Sequence, residues 1–180
     1  MTQAVNRMND LKIIGGILLA VAVTYSAVHF AGAGGSDSGA AVKKAEESAS
    51  GMNVQQLIDT GNHLMDQGRF EQAAAHYTGA LMVDSSLTNV RIDRGSCFYA
   101  LGAYDSAIAD FRRAISAEPD HATAYFNLGI AYGAIGEDSL MSWSWGKYLE
   151  LEPDGEMADK VRQFLLEEAE SGKSPQSGNL

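Results

Sequence analysis

Apolar and small residues recur at matching places every 34 residues between Val54 and Gly155, with Gly61, Gly95 and Gly129 marking the period. With units counted from Val54, Thr88 and Ala122, position eleven reads Leu64, Phe98 and Tyr132. Position twenty reads Ala73, Ala107 and Met141, and position twenty-four reads Tyr77, Phe111 and Trp145. Each unit divides into two amphipathic stretches of helical length. The pattern predicts helices near 54–67, 70–83, 88–101, 104–117, 122–135 and 138–151.

The punctuation between these stretches has a physical reading. Gly68, Gly102 and Gly136 hold position fifteen, where a residue free to take positive φ ends the first helix of each unit. Pro119 and Pro153 cannot extend the helices before them and so set unit boundaries. Small residues at positions eight and twenty (Gly61, Ala73, Gly95, Ala107, Gly129) let paired helices approach closely. A bulky side chain at Gly95 or Ala107 is expected to overpack the pair, losing roughly 1–3 kcal/mol. Tyr77, Phe111 and Trp145 are expected to fill the space between one pair and the next.

These spacings of small residues, aromatics, alanine and proline resemble three tetratricopeptide repeats, 54–87, 88–121 and 122–155. The resemblance implies an all-α fold, a right-handed α-solenoid of helix-turn-helix units. A seventh helix near 156–170, with Ala158, Val161, Phe164 and Leu165 on one face, reads as the capping helix that closes such a stack. In the third unit Met141 and Tyr148 replace alanines, Asp138 replaces an aromatic and Trp143 joins Trp145. The larger side chains are expected to pack against the cap.

Ahead of the repeats, Ile13 to Ala33 is 21 residues free of Asp, Glu, Lys and Arg. That length crosses a bilayer core of about 30 Å as a helix. Residues 1–12 then form a cytoplasmic tail carrying Arg7 and Lys12, and 13–33 a transmembrane helix or signal anchor. By count, Lys43 and Lys44 balance that pair, so only proximity favours this orientation. The alternative is a signal peptide cleaved after Ala33, at Ala31-Gly32-Ala33. Residues 34–53 are rich in Gly, Ser, Ala, Lys and Glu and read as a flexible linker, spanning roughly 25 Å as a coil. The polar stretch 171–180 reads as a disordered tail.

Stacked repeats of this kind resemble modules that hold a peptide or helix on the face built by their first helices. Positions five, six, nine and twelve there give Ile58, Asp59, Asn62 and Met65, then Ile92, Asp93, Ser96 and Tyr99, then Phe126, Asn127 and Ile130. Apolar contact comes from the isoleucines and aromatics, and Asn62 and Asn127 offer both donors and acceptors. Asp59 and Asp93 favour a ligand with a basic side chain. Some members of this family grip a chaperone's terminal carboxylate with lysine, asparagine, asparagine, lysine and arginine. The matching positions hold Ile58, Asn62, Asp93, Thr123 and Asn127, so only Asn62 is retained and Asp93 would repel a carboxylate.

The net charge of −10, with no basic cluster, argues against a nucleic-acid partner. The single cysteine, Cys97, reads as a small buried hydrophobe. His63 reads as a packing residue, His121 falls in a turn, and no spacing suggests a metal site, a cofactor loop or a catalytic set. The expectation is a non-enzymatic, membrane-anchored scaffold or adaptor on the periplasmic side of a cytoplasmic membrane. Its partner would be a protein in or at the same membrane. A permanent subunit of a larger membrane complex, or a released periplasmic adaptor, are the alternatives.

Overall fold

A computed structural model describes residues 52–170, which form seven helices. These are α1 (Val54–Asp66), α2 (Phe70–Val83), α3 (Thr88–Ala100), α4 (Tyr104–Ala117), α5 (Ala122–Ile135), α6 (Asp138–Leu151) and α7 (Ala158–Glu170). The six repeat helices match the periodicity to within a residue, and the cap starts two residues later than expected, at Ala158. The expected segments 1–12, 13–33, nearly all of 34–53, and 171–180 lie outside the described residues. Among the described residues no helix is long and apolar enough to cross a membrane.

The turns repeat as faithfully as the helices. Gly68, Gly102 and Gly136 have φ of 72°, 75° and 81°. After each of them the chain reverses with the same pair of hydrogen bonds. Arg69, Ala103 and Glu137 donate N–H groups to the carbonyls of Leu64, Phe98 and Tyr132 at 2.9, 2.9 and 3.0 Å. Each glycine N–H reaches the carbonyl three residues back. The orphan carbonyls at the end of α1, α3 and α5 are satisfied in one step, and the next helix is launched antiparallel. At the start of α1, Asn53 accepts from the Gln56 N–H at 2.9 Å while Gln56 reaches back to the Asn53 N–H, a capping box.

α1 packs on α2, α3 on α4 and α5 on α6, and each pair leans on the next through α2–α3 and α4–α5. The first helices also meet directly, α3 against α5, which places them on the inner side of the stack. Inside each pair the position-eight glycine lies beneath the position-twenty-four aromatic. A Cβ added at Gly61, Gly95 or Gly129 would come within 2.6 Å of Tyr77, 2.6 Å of Phe111 or 2.4 Å of Trp145. The aromatics therefore fill the interior of their own pair, a correction to the expectation that they fill the space between one pair and the next. The side chain at position twenty-four points across the hairpin into the gap left by the missing Cβ.

Two hydrophobic clusters result. One runs from Leu57 through Tyr77 to Cys97, the other from Ile92 through Trp145 to Phe164. Phe98 packs against both. The cap buries Ala158, Val161 and Phe164, the last set edge-on to Trp145 at 5.1 Å. Arg162 donates to the Pro153 carbonyl and ties α7 to the preceding turn. Met141 and Tyr148 belong to this buried set, as expected for the enlarged third unit. Trp143 does not. It stands 52% exposed on the outer side of α6, edge-on to Tyr125 at 5.9 Å, because it lies two residues off the stripe that faces the cap.

Candidate functional site

The inner face is built from α1, α3 and α5, and the sequence-chosen positions fall on it at different depths. On α1, Ile58 and Met65 are half-buried, while Asp59 and Asn62 are exposed. Asn62 accepts a hydrogen bond from the Tyr77 hydroxyl at 2.8 Å, so its side chain is held in place by the packing aromatic of its own unit. Gln55 donates to Asp59 at 2.9 Å. On α3, Tyr99 is half-buried against Tyr104, with ring centroids 5.4 Å apart, and burial followed by the nearby Tyr104 pushes its phenol up to about 12.

Ile92, Phe126 and Ile130 belong to the core, so they offer a ligand little surface. The reason is the direct α3–α5 contact, which covers positions that a wider spacing would leave open. Ser96 and Asn127 are buried as well, and they face each other: Asn127 Nδ2 lies 3.5 Å from Ser96 Oγ. With Tyr99, Phe111 and Ile130 they line a small cleft of about 10 Å³, room for one water-sized group. The Ser96 hydroxyl donates to the Ile92 carbonyl at 3.0 Å. Asn127 Oδ1, although buried, accepts no hydrogen bond from the described residues.

Asp93 lies half-buried on α3, three residues before Ser96. No hydrogen bond or ion pair reaches its carboxylate among the described residues, and burial pushes its pKa up to about 6. The cations of α3 are engaged elsewhere. Arg94 donates to both carboxylate oxygens of Asp110 and to Thr78 Oγ1, and Arg91 donates to the Ser85 carbonyl at 2.6 Å. α5 carries no charged residue at all. The inner face thus presents acceptors and apolar surface, with its arginines turned away.

The Arg94–Asp110 pair escaped the sequence reading, although a signal for it exists. Asp110 shares position twenty-three with His76 and Ser144, and all three are buried, a polar column inside apolar helices. His63, expected to pack, is exposed and hydrogen-bonded to Gln67 at 2.7 Å. Cys97 is fully buried and its thiol is pushed up to about 12, first by burial and then by Asp93 and Glu71. His121 sits at the start of α5, 2.9 Å from Asn89. No group of three or more His, Cys, Asp or Glu is placed to hold a metal among the described residues.

Comparison with known proteins agrees with this architecture. A tetratricopeptide-repeat family model matches residues 58–115, and a second TPR-repeat model matches residues 95–136. Across residues 58–136 the paired helices match tetratricopeptide repeats. The chain is 29% identical over 96 residues to the Hsp70-Hsp90 organizing protein of Triticum aestivum, covering 53% of this chain and 16% of that protein. It is 27% identical over 129 residues to the small glutamine-rich tetratricopeptide repeat-containing protein of Dictyostelium discoideum, covering 71% of this chain and 39% of that one. The chain therefore spans about two fifths or less of these relatives. In fold it is similar to the first TPR of Spaghetti (RPAP3), bound to the HSP90 peptide SRMEEVD. That structure has a TM-score of 0.60 and 24% identity, over 64% of this chain and 93% of that one.

Proposed function

We propose that the chain is a protein–protein interaction adaptor that holds a peptide or helical segment on the face of α1, α3 and α5. The observation that carries the reading is the cleft between α3 and α5, where a buried acceptor, Asn127 Oδ1, lies unpaired beside Ser96 and Tyr99. A buried polar atom without a partner is unfavourable, and a ligand donor reaching it would recover that loss. The repeat proteins similar to this one include a chaperone organizer and a domain with a chaperone peptide bound. The carboxylate clamp itself does not carry over, because Ile58, Asp93, Thr123 and Asn127 replace its other members. The occupant is accordingly something other than an acidic chaperone tail.

Within the same proposal, residues 13–33 anchor the chain in a cytoplasmic membrane and the repeats sit on its outer side. The uncharged 21-residue run supports this. Tethering raises the effective concentration of a partner in the same membrane, so a weak face suffices. The test is crosslinking in the native membrane with identification of the attached protein, comparing the parent with Tyr99→Ala and Asn127→Ala. Capture should fall in both variants while their melting temperatures stay close to the parent's. Unchanged capture, or attachment through Trp143 and the outer side of α6 instead, would sink the inner-face reading.

A further inference from the structure

We infer that the inner face selects a partner segment carrying a lysine, whose ammonium group enters the cleft between α3 and α5 to meet Asn127 Oδ1, with the Asp93 carboxylate one turn back on α3 adding negative charge. This rests on the inner-face reading and specifies its chemistry. Two independent observations converge. Asn127 is 4% exposed and its carboxamide oxygen has no donor among the described residues, at a cleft of about 10 Å³ that suits a group the size of a water or an ammonium. Asp93, three residues before Ser96 on α3 and outside the lining of the cleft, is a half-buried carboxylate without a hydrogen-bond or ion-pair partner among the described residues.

Both groups are acceptors, so the occupant must supply donors and positive charge together. A lysine head has three donors on a compact charge, whereas a planar guanidinium is too broad for a space this small. No cation of the protein is free to serve from the helices that build the face. Arg94 is closed on Asp110, Arg91 on the Ser85 carbonyl, and α5 has no charged residue. Beside exposed Asp59 and Asn62, the face offers apolar surface from half-buried Ile58, Met65 and Tyr99, which fits a segment with bulky apolar residues flanking the lysine. Burial also pushes the Asp93 carboxyl up to about 6, a disadvantage that a bound cation would remove.

The test uses the full chain in detergent micelles and fluorescein-labelled twelve-residue peptides that are apolar except for one central residue. That residue is lysine, arginine, norleucine or glutamate. Fluorescence polarisation should show the lysine peptide binding roughly tenfold or more tighter than the norleucine peptide, as expected for a charge-assisted hydrogen bond. Asp93→Asn should remove most of that preference without weakening the norleucine peptide. Asp93→Lys should shift the preference to the glutamate peptide, and circular dichroism on both variants should show an intact fold. Equal binding of lysine and norleucine peptides overturns the lysine assignment while leaving the inner-face reading in place. Tightest binding by the glutamate peptide overturns it in favour of carboxylate recognition. Should no peptide bind while native-membrane crosslinks map to the outer side of α6, the face reading fails as well. A rise in affinity on replacing Lys43 and Lys44 by serine would identify the chain's own basic pair as the occupant and overturn assignment to a partner.

Discussion

Arg94 closes on Asp110 through two hydrogen bonds, Nε to Oδ2 and Nη2 to Oδ1, both 2.7 Å long, while its third nitrogen reaches Thr78 of the preceding unit at 3.1 Å. One side chain therefore joins α2, α3 and α4. Asp110 is 2% exposed, so its charge is tolerable only while the guanidinium stays. Asp110→Ala should destabilise the chain by about 3–5 kcal/mol in urea unfolding, because it strands a largely buried cation. Replacing both partners with apolar residues of similar volume should lose far less. If the single and double variants unfold at the same urea concentration, the pair is not what holds these three helices.

Three glycine-to-alanine substitutions should separate three physical roles. At Gly129 the new methyl would meet the Trp145 ring at 2.4 Å, so Gly129→Ala should lose about 1–3 kcal/mol through overpacking. At Gly102 there is open space, yet φ is +75°, and Gly102→Ala should lose about 1–2 kcal/mol through left-handed strain alone. Gly146 lies inside α6 with nothing near the added atom, and Gly146→Ala should gain up to about 1 kcal/mol. Thermal melting of the three variants reads all of this. A stabilised Gly129→Ala would contradict the close packing described above.

Asp93 makes stability depend on pH in the direction opposite to a salt-bridged acid. Its carboxyl titrates near 6 in the folded chain against an ordinary value of 3.8. Between those values the folded state holds more protons than the unfolded one, so this group lowers stability as pH rises from about 4 to 6. Above that the loss stays constant. Its two neighbours in the electrostatic field, Tyr77 and Cys97, are pushed upward and stay protonated throughout. Asp93→Asn should thus stabilise the chain by about 1–3 kcal/mol at pH 7.5, an upper range that residual solvation trims, and by nothing at pH 3.5. A gain that is equal at both pH values would point to packing, not to burial of charge.

Tyr77→Phe should be milder. Its hydroxyl donates to exposed Asn62, which can turn to water once released, so the loss should be about 0.5–1.5 kcal/mol. The parallel Tyr77→Ala empties the space over Gly61 and should lose about 3–5 kcal/mol, the range for a truncated buried aromatic. Chemical unfolding of the two variants distinguishes the hydrogen bond from the ring.

The architecture was legible because local chemistry and long-range packing agree in it. Gly102 needs positive φ and Gly95 needs room for Phe111, and each demand leaves one residue type at one spacing. The face was harder to read. Periodicity identifies which residues share the side of α3 and α5, but burial there depends on how closely those helices approach. That distance is set by side chains on other elements, which is why Ile92, Phe126 and Ile130 end in the core while Asp93 and Tyr99 stay half-open. From the sequence Asn127 reads as a two-way hydrogen-bonding group. Only the structure shows that its oxygen is the unpaired half.

Phe98 packs against both hydrophobic clusters, and among the described residues no other half-buried side chain does. Under tension the stack therefore has two apolar blocks that meet at α3, where Phe98 and the Arg94 bridge from Thr78 to Asp110 hold them together. A steady pull applied at Met52 should peel α1 and α2 away first, stalling at Phe98 before the Trp145 half yields. In an optical trap that pause would show as a reproducible step in extension, and a smaller side chain at Phe98 would shorten it.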